Sequence, residues 1–332
     1  VLPFVWPQFA YTFDAELSAQ LLGLPAGDAR TAGVAWGRQV ADALLRERDF
    51  DGANFGVDYR PAAGPGRWQP TPALFASPLL PQWAAVKPFA LARADQFRPP
   101  PPPALTSAEW AQQCNEVKAL GGTNSAARTP EQARIAWFWA DGQGTPTPPG
   151  RWNSVAAQLA EARALPLVET ARLFALVNLA LADAGIACWD AKYAYDWWRP
   201  VTAIRAADTD GNPATEPDPA WTPLVSTPPF PEHVSGHSTF SAAAAAVLAA
   251  FLGGDEFAFT LRSDGLFGEA RSYGRFSEAA AEAGISRIYG GIHFSSANVD
   301  GQALGRAIGQ HVAAHYLLLR DAVRQPPFAT GR

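Results

Sequence analysis

A proline-rich segment that runs directly into an alanine-rich one constrains this chain more than any other stretch. Residues 228–240 have the sequence Pro-Pro-Phe-Pro-Glu-His-Val-Ser-Gly-His-Ser-Thr-Phe, and an alanine-rich run follows from Ser241 to Phe251. Because proline stiffens the approach and alanine favours helix, the sequence predicts a helix that begins near His237. The unpaired N–H groups at such a helix start favour an anion. A plain N-cap at Ser235 explains the same residues, so this segment alone does not decide its function.

The composition is that of a folded protein without a strongly charged partner. The 332 residues are 48% hydrophobic and 17% charged, which excludes a disordered chain. A net charge of -5 argues against nucleic acid or an anionic membrane surface as the main partner. No apolar run was found with the length of about 18 residues that a membrane span needs, so we expect no membrane span. The chain starts at Val1 without an initiator methionine. We therefore expect a processed, soluble protein that is exported to the periplasm or the medium.

The chain has only two cysteines, Cys114 and Cys188, which is too few for a disulfide framework. A single bridge between them stays open on the sequence alone. The apolar surroundings of Cys188 favour a buried free thiol. The sequence does not determine the oligomeric state.

Apolar residues recur at helical spacing through much of the chain, and patterns typical of strands are nearly absent. Many of the 30 prolines lie in loops such as residues 98–103 and 145–150, where they stiffen long connections. We therefore predict an all-α fold of helical bundles joined by long proline-rich loops. One helix is expected over residues 190–206, and residues 1–332 are expected to form a single domain.

Three separate segments carry polar groups that suggest a binding site only when they are taken together. In the first, Lys192 and Arg199 are spaced so that they would lie on one helical face. The second is the Ser235–His237 turn, and in the third Arg287 and His293 stand on either side of a Gly-Gly pair. Each segment alone has an ordinary explanation: a solvated basic face, an N-cap, or a helix end followed by a loop.

The aromatic setting of these cations favours a binding site. Tryptophan and tyrosine side chains stand close to them in sequence, among them Trp197, Trp198 and Tyr289. Cations placed among aromatic groups are costly unless an anion neutralises them. Three cations, a hydroxyl and a backbone N–H together suit a tetrahedral oxyanion. Two histidines would then be free to carry out chemistry on it.

The order of these motifs resembles a known signature. The series Lys-x6-Arg-Pro, Ser-Gly-His and Ser-Arg-x5-His is similar to that shared by vanadium-dependent haloperoxidases and PAP2-type acid phosphatases. Upstream segments resemble the chloroperoxidase-like haloperoxidases specifically, at residues 96–99, 128–132, 137–142 and 183–186. The resemblance implies a site for vanadate or phosphate inside a helical bundle. It also implies a divergent N-terminal part at residues 1–90 and a catalytic core at residues 91–320.

The resemblance implies a role for each matching residue. The cofactor would be vanadate, and phosphate would also fit its site. Its equatorial oxygens would be held by Lys192, Arg199, Ser235, Gly236 and Arg287. His293 would bind vanadium through a ring nitrogen, and His237 would act as the acid–base group. Lys192 would also be catalytic, because its charge polarises the bound peroxide.

Four further residues are expected around this centre. Local similarity suggests that Asp141 orients Arg287. Trp189 and Phe230 match aromatic positions on the halide side. His233 stands where an aromatic residue is common, and we expect it to affect halide access or the pH profile.

The implied reaction is the oxidation of halide by hydrogen peroxide to hypohalous acid, through a peroxovanadate at His293. The hypohalous acid would then halogenate small organic substrates. The alternative is a PAP2-type acid phosphatase, in which His293 forms a phosphohistidine and His237 protonates the leaving group. The same ligands serve both reactions, because the transition state at phosphorus resembles vanadate.

The sequence departs from the family pattern at two places. Val234 precedes the Ser-Gly-His turn, where the usual motif has proline. The segment that follows His293 is not the usual acidic continuation, so it is open whether Asp300 orients His293.

Overall fold

The computed structural model of this protein describes residues 1–318. Its contacts divide the chain into two compact units, Val1–Phe55 and the chain from Gly56 onward. Both units are mainly helical, which confirms the all-α prediction. That residues 1–332 form a single domain, with a divergent part at residues 1–90 and a catalytic core at residues 91–320, stays a prediction.

The first unit consists of helices with little buried surface. Val34, Ala41 and Leu45 are half-buried and lie on one face of the longest helix. The helices are α1 (Leu2–Val5), α2 (Ala10–Leu22) and α3 (Asp28–Arg48), with a 3-10 turn at Pro7–Phe9.

The second unit contains eight helices and one hairpin among its described residues. Long irregular segments connect them, as the proline content predicted. The helices are α4 (Ala108–Gly121), α5 (Pro130–Phe138), α6 (Thr147–Ala162), α7 (Leu167–Tyr195), α8 (Pro200–Arg205), α9 (Gly236–Leu252), α10 (Phe276–Tyr289) and α11 (Ser295–His315); the strands are β1 (Glu256–Arg262) and β2 (Ala270–Arg275), and 3-10 turns lie at Pro81–Ala85 and Ala207–Thr209.

The β1–β2 hairpin is an element that the sequence analysis missed. The two strands pair antiparallel, with Phe259 opposite Tyr273. Phe259, Leu261 and Tyr273 are buried in the main hydrophobic core beside α10. Apolar residues alternate at Phe257, Phe259 and Leu261, which is the pattern of a half-buried strand. This pattern could have predicted β1 from the sequence.

The helix predicted over residues 190–206 is wrong. Helix α7 ends at Tyr195, where Asp196 adopts a left-handed conformation with φ of 53°. The chain is then extended at Arg199 before Pro200 begins α8. A proline disfavours helical geometry in the residue before it, which explains the break. Lys192 and Arg199 therefore do not share a helical face.

Helix α7 is the one described helix that is long and apolar enough to cross a membrane, with a mean hydropathy of 1.6 in its most apolar window. The expectation that no apolar run reaches about 18 residues is therefore wrong for this helix. However, 61% of that window is buried inside the protein. Its side chains form much of the main core with α6, α9, α10 and α11. This burial is typical of the central helix of a globular fold.

A row of glycines brings α11 unusually close to α9. A Cβ at Gly305 would lie 2.2 Å from the Thr239 carbonyl oxygen, and one at Gly309 would lie 2.4 Å from that of Ala243. Gly301 approaches the Ser235 carbonyl in the same way, at 2.8 Å. These distances are shorter than a Cβ tolerates, so only glycine permits the contact. The row fixes the start of α9 against α11.

Helix α7 also anchors the irregular chain that precedes α4. The buried Asp183 carboxylate accepts three backbone N–H bonds of 2.7 Å, from Phe89, Ala90 and Leu91. Two helical turns further along, the Asp190 carboxylate accepts two hydrogen bonds from the Arg98 guanidinium, at 2.6 and 2.7 Å. These contacts use residues that carried the upstream resemblance, and they hold long loops in one conformation.

Both cysteines are free and buried, which agrees with the interpretation of Cys188 as a free thiol. Its sulfur lies 3.7 Å from the carbonyl oxygen of Val234. A Cβ placed on Gly236 would be 4.0 Å from the same sulfur. Cys188 thus lies directly beneath the start of α9.

We predict that Gly305→Ala lowers the free energy of unfolding by about 1–3 kcal/mol, because the added methyl must push α11 away from the α9 backbone. Chemical denaturation followed by circular dichroism measures this change. Gly254→Ala is the matched control in the same unit, since a Cβ there meets nothing within 4 Å. Equal stability of the two variants would contradict the packing argument.

Candidate oxyanion site

The three polar segments of the sequence meet in the second unit. The end of α7, the loop before α9 and the turn between α10 and α11 each supply buried charged groups to one centre. The structure brings together all the predicted oxyanion ligands; five of them are buried, and Gly236 is half-buried. These residues are Lys192, Arg199, Ser235, Gly236, Arg287 and His293.

Arg199 links two of the segments. Its Nε donates to the Phe230 carbonyl at 2.8 Å, and its Nη1 donates to the Ile292 carbonyl at 2.8 Å. The same Nη1 lies 3.2 Å from Nε2 of His293. Its Nη2 is buried and has no hydrogen-bond partner. The Arg199 guanidinium therefore links the loop before α9 to the turn before α11, and its Nη2 remains available to donate to a ligand.

Lys192 lies in the cluster, but its ammonium group is directed at backbone oxygens. Nζ donates to the carbonyls of Pro231, at 3.1 Å, and Glu232, at 3.0 Å, and makes a third bond to that of Val234. These three bonds use all its protons. It also lies 5.0 Å from the centre of the Phe230 ring. In this arrangement Lys192 holds the loop before α9 and adds positive charge to the site.

Ser235 and Gly236 form the start of α9, as the sequence predicted. Ser235 is the N-cap, and its hydroxyl oxygen accepts the Ser238 N–H at 3.3 Å. That bond uses a lone pair and leaves the hydroxyl proton free to donate elsewhere. The N–H of Gly236 is one of the unpaired first-turn donors of the helix. Capping and anion binding are therefore compatible at this turn.

Arg287 is held by a different group from the one expected. Its Nη1 donates to the Trp139 carbonyl, and its buried Nε has no hydrogen-bond partner. Asp141 instead forms a buried ion pair with Arg151. Its second oxygen lies 4.0 Å from Nε2 of His237. Asp141 therefore does not orient Arg287 through a hydrogen bond, as was expected. It pairs with Arg151 and interacts with Arg287 only through its charge.

Glu232 is a site residue that the sequence analysis missed. Its Oε1 lies 2.8 Å from Nδ1 of His293 and accepts the Phe294 N–H, also at 2.8 Å. The side chain is fully buried. An acidic residue inside the apolar segment Pro-Phe-Pro-Glu-His-Val was the only signal in the sequence. Glu232, and not Asp300, therefore contacts His293; the Asp300 carboxylate lies 3.7 Å from His233.

Burial dominates the electrostatics of the centre. It lowers the pKa of Lys192 to about 8, and those of Arg199 and Arg287 to about 10. Burial also raises the pKa of Glu232 to about 7, and the Phe294 N–H partly opposes that rise. All of these shifts reflect the cost of charge in an apolar region.

Both site histidines are unprotonated at neutral pH. The pKa of His237 is well below its ordinary value because of burial and the nearby charge of Arg287. The pKa of His293 is also far below its ordinary value, through burial and the charges of Arg199, Lys192 and Arg287. The 3.2 Å contact between Nη1 of Arg199 and Nε2 of His293 places these two groups in one centre.

The predicted halide-side aromatics form one edge of the site. The rings of Trp189 and Phe230 are 4.9 Å apart, and the Arg199 guanidinium lies 4.9 Å from the Phe230 ring. His233 is fully buried and points elsewhere, toward the Tyr195 ring and the Pro100 carbonyl at 3.3 Å. Burial lowers its pKa to about 3, so it is neutral.

The donor set fits a tetrahedral oxyanion such as vanadate. Buried and unpaired donors remain on Arg199 and Arg287, and the Ser235 hydroxyl and the Gly236 N–H add two more. Within residues 1–318, no cluster of three or more His, Cys, Asp or Glu residues has the arrangement of a metal site. The single ligand His293 and a ring of donors therefore suit an anion that brings its own oxygens.

Comparison with known proteins points in the same direction. Residues 172–321 match the second helical-bundle domain of vanadium chloroperoxidases. The vanadium chloroperoxidase of Curvularia inaequalis is 34% identical over 171 residues, which cover 43% of this chain and 27% of that protein. The alignment thus spans little more than a quarter of that relative's length.

Solved structures extend the likeness to most of the chain. A bacterial vanadium-dependent chloroperoxidase superposes with a TM-score of 0.74 and 19% identity, over 94% of this chain and 78% of that one, and it supports the fold. A bacterial vanadium-dependent iodoperoxidase superposes with a TM-score of 0.74 and 34% identity, over 86% of this chain and 69% of that one. With this identity over this extent, the chain belongs to the vanadium haloperoxidase family.

Proposed function

We propose that this protein is a vanadium-dependent haloperoxidase that oxidises halide with hydrogen peroxide to hypohalous acid. The observation that carries the proposal is the pair of buried, unpaired guanidinium nitrogens, Nη2 of Arg199 and Nε of Arg287. Leaving such donors without a partner in an apolar centre costs free energy. An oxyanion that accepts from both removes that cost, and family membership favours vanadate.

In the proposed holoenzyme, vanadate is held by donors from three elements. Arg199 and Arg287 donate through their free nitrogens, and Ser235 and Gly236 donate from the start of α9. His293 offers the lone pair of Nε2 as the ligand to vanadium. Lys192 contributes its charge while it holds the loop before α9. Bound vanadate would supply a Lewis acid that polarises peroxide without a change in the metal's oxidation state.

His237 is proposed to handle the proton of hydrogen peroxide. Its buried Nε2 has no hydrogen-bond partner, so its lone pair is free to accept a proton from a bound substrate. Because its pKa is well below the ordinary value, it is neutral at pH 7 and can accept a proton. The Asp141 carboxylate 4.0 Å away would stabilise the imidazolium that forms.

Trp189 and Phe230 are proposed to line the path of the halide. Their rings exclude water from one side of the centre, and the Arg199 charge behind Phe230 attracts an anion. The hypohalous acid formed there would halogenate small organic substrates. Since the iodoperoxidase combines 34% identity with coverage of 86% of this chain, iodide is the first halide to test. Export of the protein stays a prediction.

We predict that the vanadate-loaded protein consumes peroxide and iodide or bromide, with halogenation of monochlorodimedone as the measurement for bromide and chloride. Triiodide absorbance serves for iodide. Removal of vanadate with a chelator should abolish the activity, and added vanadate should restore it. A protein inactive with chloride, bromide and iodide would contradict the proposal.

The phosphatase alternative has its own support in this centre. The unprotonated Nε2 of His293 would be able to attack phosphorus, because its nucleophilic lone pair is not protonated at neutral pH. Hydrolysis of p-nitrophenyl phosphate by a protein that fails with all three halides would favour that reading.

We predict that substitution separates the roles of the two histidines. His293→Ala should weaken vanadate binding and abolish turnover, because the ligand to vanadium is lost. His237→Ala should retain vanadate binding but lower kcat by about 10²–10⁴-fold, the usual contribution of a general acid–base group. Vanadate titration and steady-state kinetics measure the two effects.

The matched control is His311→Ala, near the C-terminal end of α11, where His311 packs against His315 with ring centres 4.4 Å apart. This variant should keep native activity. Retained turnover in His293→Ala would overturn the site assignment.

A further inference from the structure

The carboxylate of Glu232 joins two loops of the site through one oxygen. Its Oε1 lies 2.8 Å from both Nδ1 of His293 and the Phe294 N–H. Its backbone is fixed as well, because its N–H donates to the Trp197 carbonyl at 2.9 Å and its carbonyl accepts from Lys192 at 3.0 Å. Glu232 is therefore held on three sides and has little freedom to choose another partner.

The position of Oε1 determines the tautomer of His293. Oε1 already accepts the Phe294 N–H, and the oxygens of an ionised carboxylate can only accept, so Oε1 presents a lone pair to Nδ1. A ring nitrogen that faces an accepting oxygen must donate, so the proton of the neutral imidazole lies on Nδ1. The lone pair is then on Nε2.

Arg199 supports the same tautomer from the opposite side of the ring. Its Nη1 lies 3.2 Å from Nε2 of His293. A guanidinium group can only donate, so the nitrogen that faces it must accept. Two independent partners therefore leave Nε2 without a proton, which is the state that can bind a metal.

We propose that Glu232 is a positioning residue that fixes the proton of His293 on Nδ1, presents the Nε2 lone pair to vanadium and strengthens it as a ligand. The inference rests on the proposed function, since it concerns the same centre. A carboxylate that accepts from the far nitrogen of a ligating histidine increases the basicity of the ligand. Loss of such a partner lowers metal affinity by about 10–100-fold.

Glu232→Gln distinguishes this role from a merely structural one. Both hydrogen bonds of the side chain go to Oε1, and a glutamine keeps an accepting oxygen there. The buried Oε2 has no hydrogen-bond partner, so its replacement by an NH₂ group breaks no bond. A purely structural role would therefore survive this substitution, whereas the electrostatic effect of the carboxylate on His293 would not.

The test combines two measurements that need neither peroxide nor halide. Nitrogen NMR of the vanadate-free protein, with His293 assigned by comparison with His293→Ala, reports which ring nitrogen carries the proton. Vanadium NMR titration gives the Kd for vanadate in the wild type and in Glu232→Gln. We expect the proton on Nδ1 in both proteins and a Kd about 10–100-fold higher in Glu232→Gln.

Glu116→Gln is the matched control. Glu116 is a part-buried carboxylate on α4 that accepts from the hydroxyl of Ser295, two residues after His293, and it has no hydrogen bond or ion pair with His293. Its substitution should leave both the tautomer and the Kd at wild-type values. Thermal unfolding of all three proteins checks that the fold is intact.

A proton on Nε2 in the wild type would overturn the proposal, and so would a folded Glu232→Gln that binds vanadate as tightly as the wild type. The measurement of the wild-type tautomer needs no variant, so it decides even if Glu232→Gln does not fold. If the two expected results hold but no halide is oxidised, the proposed function is wrong and the role of Glu232 stands.

Discussion

The centre of this protein depends on hydrogen bonds from buried cations to backbone carbonyl oxygens. Lys192 uses all three of its protons on the loop before α9, and Arg199 ties that loop to the turn before α11. Arg287 and Arg151 do the same for the chain that follows α5. Irregular loops leave carbonyl groups unpaired, and a buried one needs a donor. The cations supply those donors and so order the loops that carry the site.

This arrangement favours an anion at the centre. The two acidic groups within it are committed to other partners, Asp141 to Arg151 and Glu232 to His293. Positive charge therefore exceeds negative charge in a region where burial already lowers the pKa of Lys192, Arg199 and Arg287. A multiply charged oxyanion offsets that excess and pairs the remaining donors. The charge balance thus favours an oxyanion over a free metal cation, and the single histidine ligand is consistent with that preference.

The sequence was sufficient for what depends on local structure, and insufficient for what depends on distant contacts. The cap at Ser235 followed from helix-start chemistry, and the helical class followed from periodicity. The placement of Arg199 on the α7 helix failed, although Pro200 should have indicated an extended residue before it. Glu232 was missed because its partner His293 is 61 residues away and lies in another loop. No pattern in sequence connects a carboxylate to a ring that only tertiary packing brings near it.

The buried thiol of Cys188, beneath the start of α9, affects how well an enzyme that makes hypohalous acid would resist oxidation by that product. Hypohalous acids attack sulfur first, and a thiolate reacts far faster than a thiol. The chain has no methionine, and both cysteines are buried. Burial raises the pKa of Cys188, which keeps its sulfur protonated as well as out of reach of solvent. The sulfur beneath the start of α9 is thus in its least reactive form, and oxidative inactivation would fall on exposed aromatic side chains instead.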